Sequence, residues 1–261
     1  MPDPILLRQD SGPITTLTLN QPETINALST AMLTELNAAL TALAGSTQRV
    51  IILKAAGKNF CAGHDLREIQ SYRTAPDQGR AAFAKLFDLC SQVMQRITTL
   101  AQPVIAQVQG VATAGGCQLA ASCDMVVATD TARFGVNGVN IGLFCATPLV
   151  ALSRKIPPTQ AFELATTGTF LPVHRAEALG LVTRITSPGA LDEVTLELAR
   201  TLAAKLPAAL RLGKQGLAAQ SAGALSAAYT AASATMVENL LLPDTDEGIT
   251  AFLAKRPPNW A

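Results

Sequence analysis

An α/β fold built on parallel crossovers and followed by a helical C-terminal region is predicted by three features of the sequence. Short β-branched runs alternate with helical stretches through the first half of the chain. Gly-rich segments follow the apolar runs, at the strand ends where such folds bind ligands. Beyond Pro148 the pattern becomes Ala/Leu-rich and helical. With 261 residues, 49% hydrophobic and 15% charged, the chain has enough apolar material for a full-sized core, and its composition excludes a disordered chain.

The elements follow in order. Ile14 to Leu19 reads as a strand, bounded by Gly12-Pro13 and Asn20-Gln21-Pro22. Ser29 caps a helix that runs to about Leu43, with Met32, Leu33, Leu36, Leu40 and Leu43 on one face. Val50 to Leu53 is a short strand leading into the loop Phe60-Cys61-Ala62-Gly63-His64-Asp65. A helix over Gln78 to Leu100, a strand over Val104 to Val108, a helix from Gly115-Gly116 through Ser122 and a strand over Met125 to Ala128 complete the alternation. Later, Val182 to Ile185 is the one clear strand, and helices are expected over 189–205, 207–219, 223–241 and 246–255. The expected division is a core over residues 1–188 and a helical region over 189–261.

Lys and Arg number 20 against 19 Asp and Glu, a net charge of +1, and no basic run is present. No nucleic-acid partner is therefore expected. No charge-free apolar run reaches the roughly 18 residues needed to cross a bilayer, so no membrane partner is expected either. The opening Met-Pro-Asp-Pro-Ile carries no targeting pattern, which makes a cytoplasmic location the expectation. Cys61, Cys90, Cys117, Cys123 and Cys145 lack paired metal-ligand spacing, so neither a zinc site nor a disulfide framework is expected.

Gly115-Gly116 opens a helix after a strand, where backbone N–H groups lack intrahelical partners and face the positive end of the dipole. Such a place suits an oxyanion or a phosphate. The alternative is that the two glycines only allow close packing. Neither a GxGxxG nor a P-loop spacing is present, so a dinucleotide site is unsupported.

Four stretches, in order along nearly the whole chain, resemble the enoyl-CoA hydratase/isomerase (crotonase) superfamily. They are Asn20-Gln21-Pro22 with Asn26-Ala27-Leu28; Phe60 to Leu66; Pro103 to Asp124, with Gly110, Gly115-Gly116-Cys117 and Cys123-Asp124; and Glu247-Gly248 with Phe252 to Pro257. The resemblance implies a spiral of ββα turns, a helical trimerisation region, and a homotrimer or dimer of trimers. It implies an acyl-CoA substrate, with coenzyme A as part of the thioester and no tightly bound cofactor or metal. The thioester carbonyl would lie between the backbone N–H groups of His64 and Gly115. Contacts to coenzyme A would come from Asn26, Ala27, Leu28, Ala62, Gly63, His64, Asp65, Leu66, Phe252 and Lys255, the last two often across a subunit boundary. Where many relatives carry a basic residue just before Asn26, this chain has Thr24-Ile25.

The resemblance also points to an anomaly. Hydratases of the family hold water between two glutamates, and the matching positions here are Gln118 and Gly138. Neither exchanges a proton near neutral pH. Ala146 offers no replacement, and Asp65, Glu68, Asp124 and His174 read as structural or solvated. His64 and Cys145 are the candidate side chains to substitute; their bland readings are a ring packed at the rim and a small buried thiol. The expected function is thus an acyl-CoA lyase or isomerase of fatty-acid metabolism that is weak at ordinary hydration. The alternatives are a thioester hydrolase or isomerase on the same scaffold, or a non-catalytic acyl-CoA binder or partner subunit. Glutamates installed together at 118 and 138 are expected to raise hydration.

Overall fold

The computed structural model describes residues 3–220 and 225–260. In chain order the elements are β1 (Leu6–Ser11), β2 (Ile14–Leu19), α1 (Thr30–Ala44), β3 (Val50–Ala55), α2 (Leu66–Tyr72), α3 (Arg80–Thr99), β4 (Val104–Val108), β5 (Val111–Thr113), α4 (Gly115–Ser122), β6 (Met125–Thr129) and β7 (Arg133–Gly135). They continue with α5 (Ala146–Leu152), α6 (Pro158–Thr167), β8 (Phe170–Pro172), α7 (Val173–Ala178), β9 (Arg184–Thr186), α8 (Leu191–Ala203), α9 (Pro207–Gln220), α10 (Leu225–Leu240) and α11 (Pro243–Leu253).

A six-stranded sheet runs β1-β2-β3-β4-β6-β9, parallel except for the β1–β2 hairpin, and a three-stranded sheet runs β5-β7-β8. Successive turns place one strand in the large sheet and the next in the small one: β4 then β5, β6 then β7. This is the expected ββα spiral. The strand at 182–185 is found as Arg184–Thr186. β1 escaped sequence reading because it is an edge strand with an exposed, polar run rather than an alternating one. β5, β7 and β8 have three residues each, too few to show a period.

Ser29 caps α1 as expected, its hydroxyl accepting from the Met32 N–H at 3.2 Å. α3 starts at Arg80 rather than at Gln78, because Gln78 and Gly79 both take left-handed conformations (φ 57° and 86°). α11 starts at Pro243, before the expected 246, with proline in the first turn where its missing N–H costs nothing. Of the helix expected over 223–241, positions 223 and 224 lie outside the described residues.

The apolar faces of α1 and α3 cover one side of the large sheet, with Leu36, Leu40, Leu86, Val93 and Ile97 in a common core. The other side is closed by α8, whose Leu191, Leu198, Ala199 and Ala203 pack on Ile14, Val50, Ile52, Ile105 and Val127. The segment 189–261 therefore begins with a helix that completes the sheet's core, and its later helices lie beyond it. α9 is tied back by Lys214, whose Nζ donates to Asp124 Oδ2 at 2.7 Å and to the carbonyls of Ile97 and Gln102. Among the described residues no helix is long and apolar enough to cross a membrane.

Candidate active site

The loop after β3 and the strand β5 run side by side. Cys61 and Ala112 form a parallel bridge, with Cys61 N–H donating to the Val111 carbonyl at 3.1 Å and Thr113 N–H to the Cys61 carbonyl at 3.0 Å. His64 and Gly115 each lie three residues beyond that bridge, and the two segments stay close there: a Cβ at Gly115 would sit 3.5 Å from Gly63 Cα and 3.5 Å from His64 Cδ2. Gly63 is the closest point: a Cβ built there would sit 2.9 Å from the Gly115 nitrogen and 2.9 Å from Ala114 Cβ. Among the described residues neither the His64 nor the Gly115 backbone N–H has a backbone acceptor, and both residues line a cavity of about 740 Å³.

The two glycines of Gly115-Gly116 have different reasons. A Cβ at Gly116 would meet the Cys61 carbonyl oxygen at 2.3 Å, so close packing explains that residue. Gly115 has more room, with Leu28 Cδ1 at 3.2 Å, and it is the first residue of α4, where an N–H has no partner in the helix. Ala114, just ahead, is held at φ 48° and ψ −121°, a region costly for any residue with a Cβ. The 2.8 Å bond from Ala114 N–H to the Gly135 carbonyl anchors it there. Backbone strain beside an unpaired N–H is a mark of functional sites.

His64 is fixed by its surroundings. Nδ1 lies 3.2 Å from the Leu28 carbonyl, and the ring meets Phe87 edge-on at 5.1 Å. A carbonyl only accepts, so in the neutral ring Nδ1 carries the proton and Nε2 the lone pair. Nε2 is itself buried and has no hydrogen-bond partner. Burial holds the His64 pKa below its ordinary 6.5, against the opposing Leu28 bond and the Glu68 charge. The unfolded chain then takes up the proton more readily than the folded one. This contribution to stability is complete above about pH 6.5 and is lost as pH falls from there through the lowered folded value. Urea unfolding between about pH 7.5 and about 5 should show that loss. His64→Asn, which does not titrate, should flatten it.

At the two positions of interest for acid–base chemistry the structure places no carboxylate. Gln118 is buried in α4, its Oε1 without a partner, and it does not line the cavity. Gly138 does line it, but a Cβ there would lie 2.4 Å from the Leu143 carbonyl oxygen and 2.7 Å from Cys145 Sγ. The expectation that a glutamate could be installed at 138 is therefore overturned, by contact with backbone and not by a positive φ. Cys145 lines the cavity, and desolvation pushes its thiol pKa up, only partly offset by a bond from the Gly138 backbone. It is a poor thiolate at neutral pH. Cys61, Cys90, Cys117 and Cys123 are pushed up to about 12 by burial.

The nearby carboxylates have structural work. Asp65 caps α2, accepting from Arg67 N–H at 2.8 Å and Glu68 N–H at 3.3 Å. Glu68 accepts from the Thr30 N–H at 2.9 Å and the Tyr72 hydroxyl at 2.6 Å, joining α2 to the start of α1. Asp124 is paired with Lys214, and His174 is exposed.

Of the residues expected to hold coenzyme A, Ala27, Ala62, His64, Asp65 and Leu66 line the cavity. Asn26, Leu28 and Gly63 stand behind it. The Asn26 side chain accepts from Gln21 N–H at 2.9 Å and donates to the carbonyls of Ala56 and Asn59, clamping the loop to the start of α1. Leu28 N–H donates to the Gly63 carbonyl at 2.8 Å. Phe252, 81% exposed, and Lys255 at the end of α11 lie outside the cavity wall. Thr24 and Ile25, just before Asn26, do line it. Sequence reasoning passed over Arg67, Phe87, Thr113 and Asn137, all in the wall. Asn137 adjoins Gly138 and had that adjacency as its only signal.

A family model described as enoyl-CoA hydratase/isomerase matches residues 9–261. The chain is 43% identical over 263 residues to enoyl-CoA hydratase domain-containing protein 3, mitochondrial, of Homo sapiens, spanning 100% of this chain and 84% of that one. It is 30% identical over 256 residues to a short-chain-enoyl-CoA hydratase of Clostridium acetobutylicum, spanning 96% of this chain and 95% of that one. Among solved structures, an enoyl-CoA hydratase of Mycobacterium smegmatis superposes with a TM-score of 0.94 at 46% identity, covering 99% of both chains.

Proposed function

Because the chain belongs to the enoyl-CoA hydratase/isomerase family, we propose that it binds an acyl-CoA thioester with the carbonyl oxygen between the His64 and Gly115 N–H groups. The observation that carries this reading is two backbone donors, among the described residues without backbone acceptors of their own, on the wall of one cavity of about 740 Å³. Fixed donors of this kind stabilise the negative charge that develops on the oxygen when the thioester enolises, and one such donor is typically worth about 2.7–4 kcal/mol. Electrophilic activation is thus provided by backbone, whatever the His64 side chain does.

The reaction proposed is not ordinary hydration. Gln118 is an amide outside the wall and Gly138 has no side chain, so the water-activating carboxylate pair is missing. The same observation favours a second reading, an acyl-CoA binder that does not turn its ligand over. Isothermal titration with butyryl-CoA and with free CoA, combined with the vibrational spectrum of the bound thioester, tests the binding reading. Tighter binding of the thioester and a lowered carbonyl stretching frequency are expected. An unshifted carbonyl would overturn the placement of the oxygen. Release of free CoA, followed with a thiol reagent, separates thioester hydrolysis from simple binding.

We also propose that residues 189–261 assemble the protein as a trimer or a dimer of trimers, bringing Phe252 and Lys255 to a neighbour's nucleotide. Leu240, Leu241, Phe252 and Leu253 support this reading, being 55%, 78%, 81% and 75% exposed in the single chain. Light scattering at micromolar concentration should give a mass of three or six chains. A strict monomer would overturn it.

A further inference from the structure

The side chains of the cavity wall supply few polar groups with spare hydrogen-bonding capacity. Asp65 is committed to its helix cap, and Asn140 Nδ2 donates to the Gly168 carbonyl at 3.1 Å. Thr113 Oγ1 donates to Asn137 Oδ1 at 2.7 Å, which fixes the Asn137 amide. With its oxygen turned to Thr113, the amide leaves its NH₂ group as a donor, and among the described residues no hydrogen bond from Nδ2 is recorded for Asn137. Thr113 stands two residues ahead of Gly115 on the same strand-to-helix run, and Asn137 lines the same cavity as His64 and Gly115. The wall segment that follows Asn137 is mainly apolar, with Ile141, Leu143, Phe144, Ala146 and Pro148, and Asn140, Cys145 and Thr147 are its other lining side chains.

We propose that Asn137 is a specificity-determining residue that donates to a neutral oxygen on the acyl chain beyond the thioester carbonyl. The substrate class is then a keto- or hydroxy-substituted acyl-CoA rather than a plain hydrocarbon one. A saturated chain would strip water from the NH₂ group and return no acceptor, a penalty that an oxygenated chain avoids. A neutral oxygen fits better than a carboxylate, because a buried anion needs a cation. Arg67 is the one cation of the wall among the described residues, and it is exposed in the first turn of α2 beside the Asp65 cap. Thr113 is the positioning residue, since its hydroxyl decides which end of the amide faces the cavity.

This inference rests on the acyl-CoA reading, and the test separates the two. Dissociation constants would be measured for butyryl-CoA, acetoacetyl-CoA and succinyl-CoA. The wild type should prefer acetoacetyl-CoA to butyryl-CoA by about three- to tenfold, the range for one neutral hydrogen bond. Asn137→Leu should erase the preference, read as the ratio of the two dissociation constants within the variant. Asn137→Asp, which keeps an acceptor for Thr113 but loses the donor, should reverse it and serves if the leucine variant does not fold. Thr113→Val should weaken the preference, again read as the ratio of the two constants within the variant. A preference that survives in both Asn137 variants overturns the proposal, and so does tighter binding of succinyl-CoA than of acetoacetyl-CoA. If no thioester binds more tightly than free CoA, the acyl-CoA reading itself falls.

Discussion

Crotonyl-CoA hydration by the purified protein is expected to run about 10²–10⁴-fold or more below the median enzyme turnover of about 10 s⁻¹. Adding water across the double bond needs one group to take a proton from water and one to deliver a proton to carbon, and each contributes through a pKa near the working pH. The wall has two carboxylates among the described residues. Asp65 caps α2, its Oδ1 accepting from the Arg67 and Glu68 N–H groups, and Glu23 is exposed in the short 3-10 turn after Gln21. Gln118→Glu alone should add little, because it supplies half of a pair and its side chain lies outside the wall. Gly138→Glu should unfold or distort the segment from 137 to 145, since its Cβ has no room beside the Leu143 carbonyl and Cys145 Sγ. A coupled absorbance assay on crotonyl-CoA decides the matter. Turnover near 10 s⁻¹ would mean that another group carries the proton, and loss of that turnover in Glu23→Gln would identify it.

Gly63→Ala should abolish the polarisation of a bound thioester, and any thioester turnover of the wild type should fall about 10²–10³-fold. The added Cβ would meet both the Gly115 nitrogen and Ala114 Cβ at 2.9 Å and the Thr113 carbonyl oxygen at 3.1 Å, so the two donor-bearing loops must move apart. Oxyanion stabilisation depends on donors being in place before charge develops, which is why a displacement this small is costly. Gly63 also has φ 88°, which burdens alanine regardless of contacts. Gly12→Ala is the control: φ is 57° and nothing lies within 4 Å of the new Cβ, so it reports backbone strain alone. The carbonyl stretch of bound butyryl-CoA should return to its solution frequency in Gly63→Ala and stay shifted in Gly12→Ala. A shift retained in Gly63→Ala would show that the carbonyl lies elsewhere.

Elements with a full period were legible in the chain itself. β2 and β4 have the expected ends, and α1 begins at its Ser29 cap, because alternation, caps and turn residues are local properties spread over five or more positions. The match of Asn26 to Leu28, Phe60 to Leu66 and Gly115-Gly116 was equally visible, and with it the family and its fold. Three-residue strands such as β5 and β7 were not, since they exist only through partners distant in sequence.

For the site, residue identity was determined by sequence and accessibility by tertiary structure. That Gln118 and Gly138 carry no carboxylate is a fact of composition. That Gly138 admits no side chain at all is decided by Leu143 and Cys145 folding back over it. The segments that carry His64 and Gly115 are joined by the Cys61–Ala112 bridge, a pairing of residues 51 positions apart in the chain. The orientation of Asn137 follows from Thr113, 24 positions away. Backbone donors and amide orientations have no signature in a string of residues, because every residue but proline has an N–H and only its neighbours in space determine where it points.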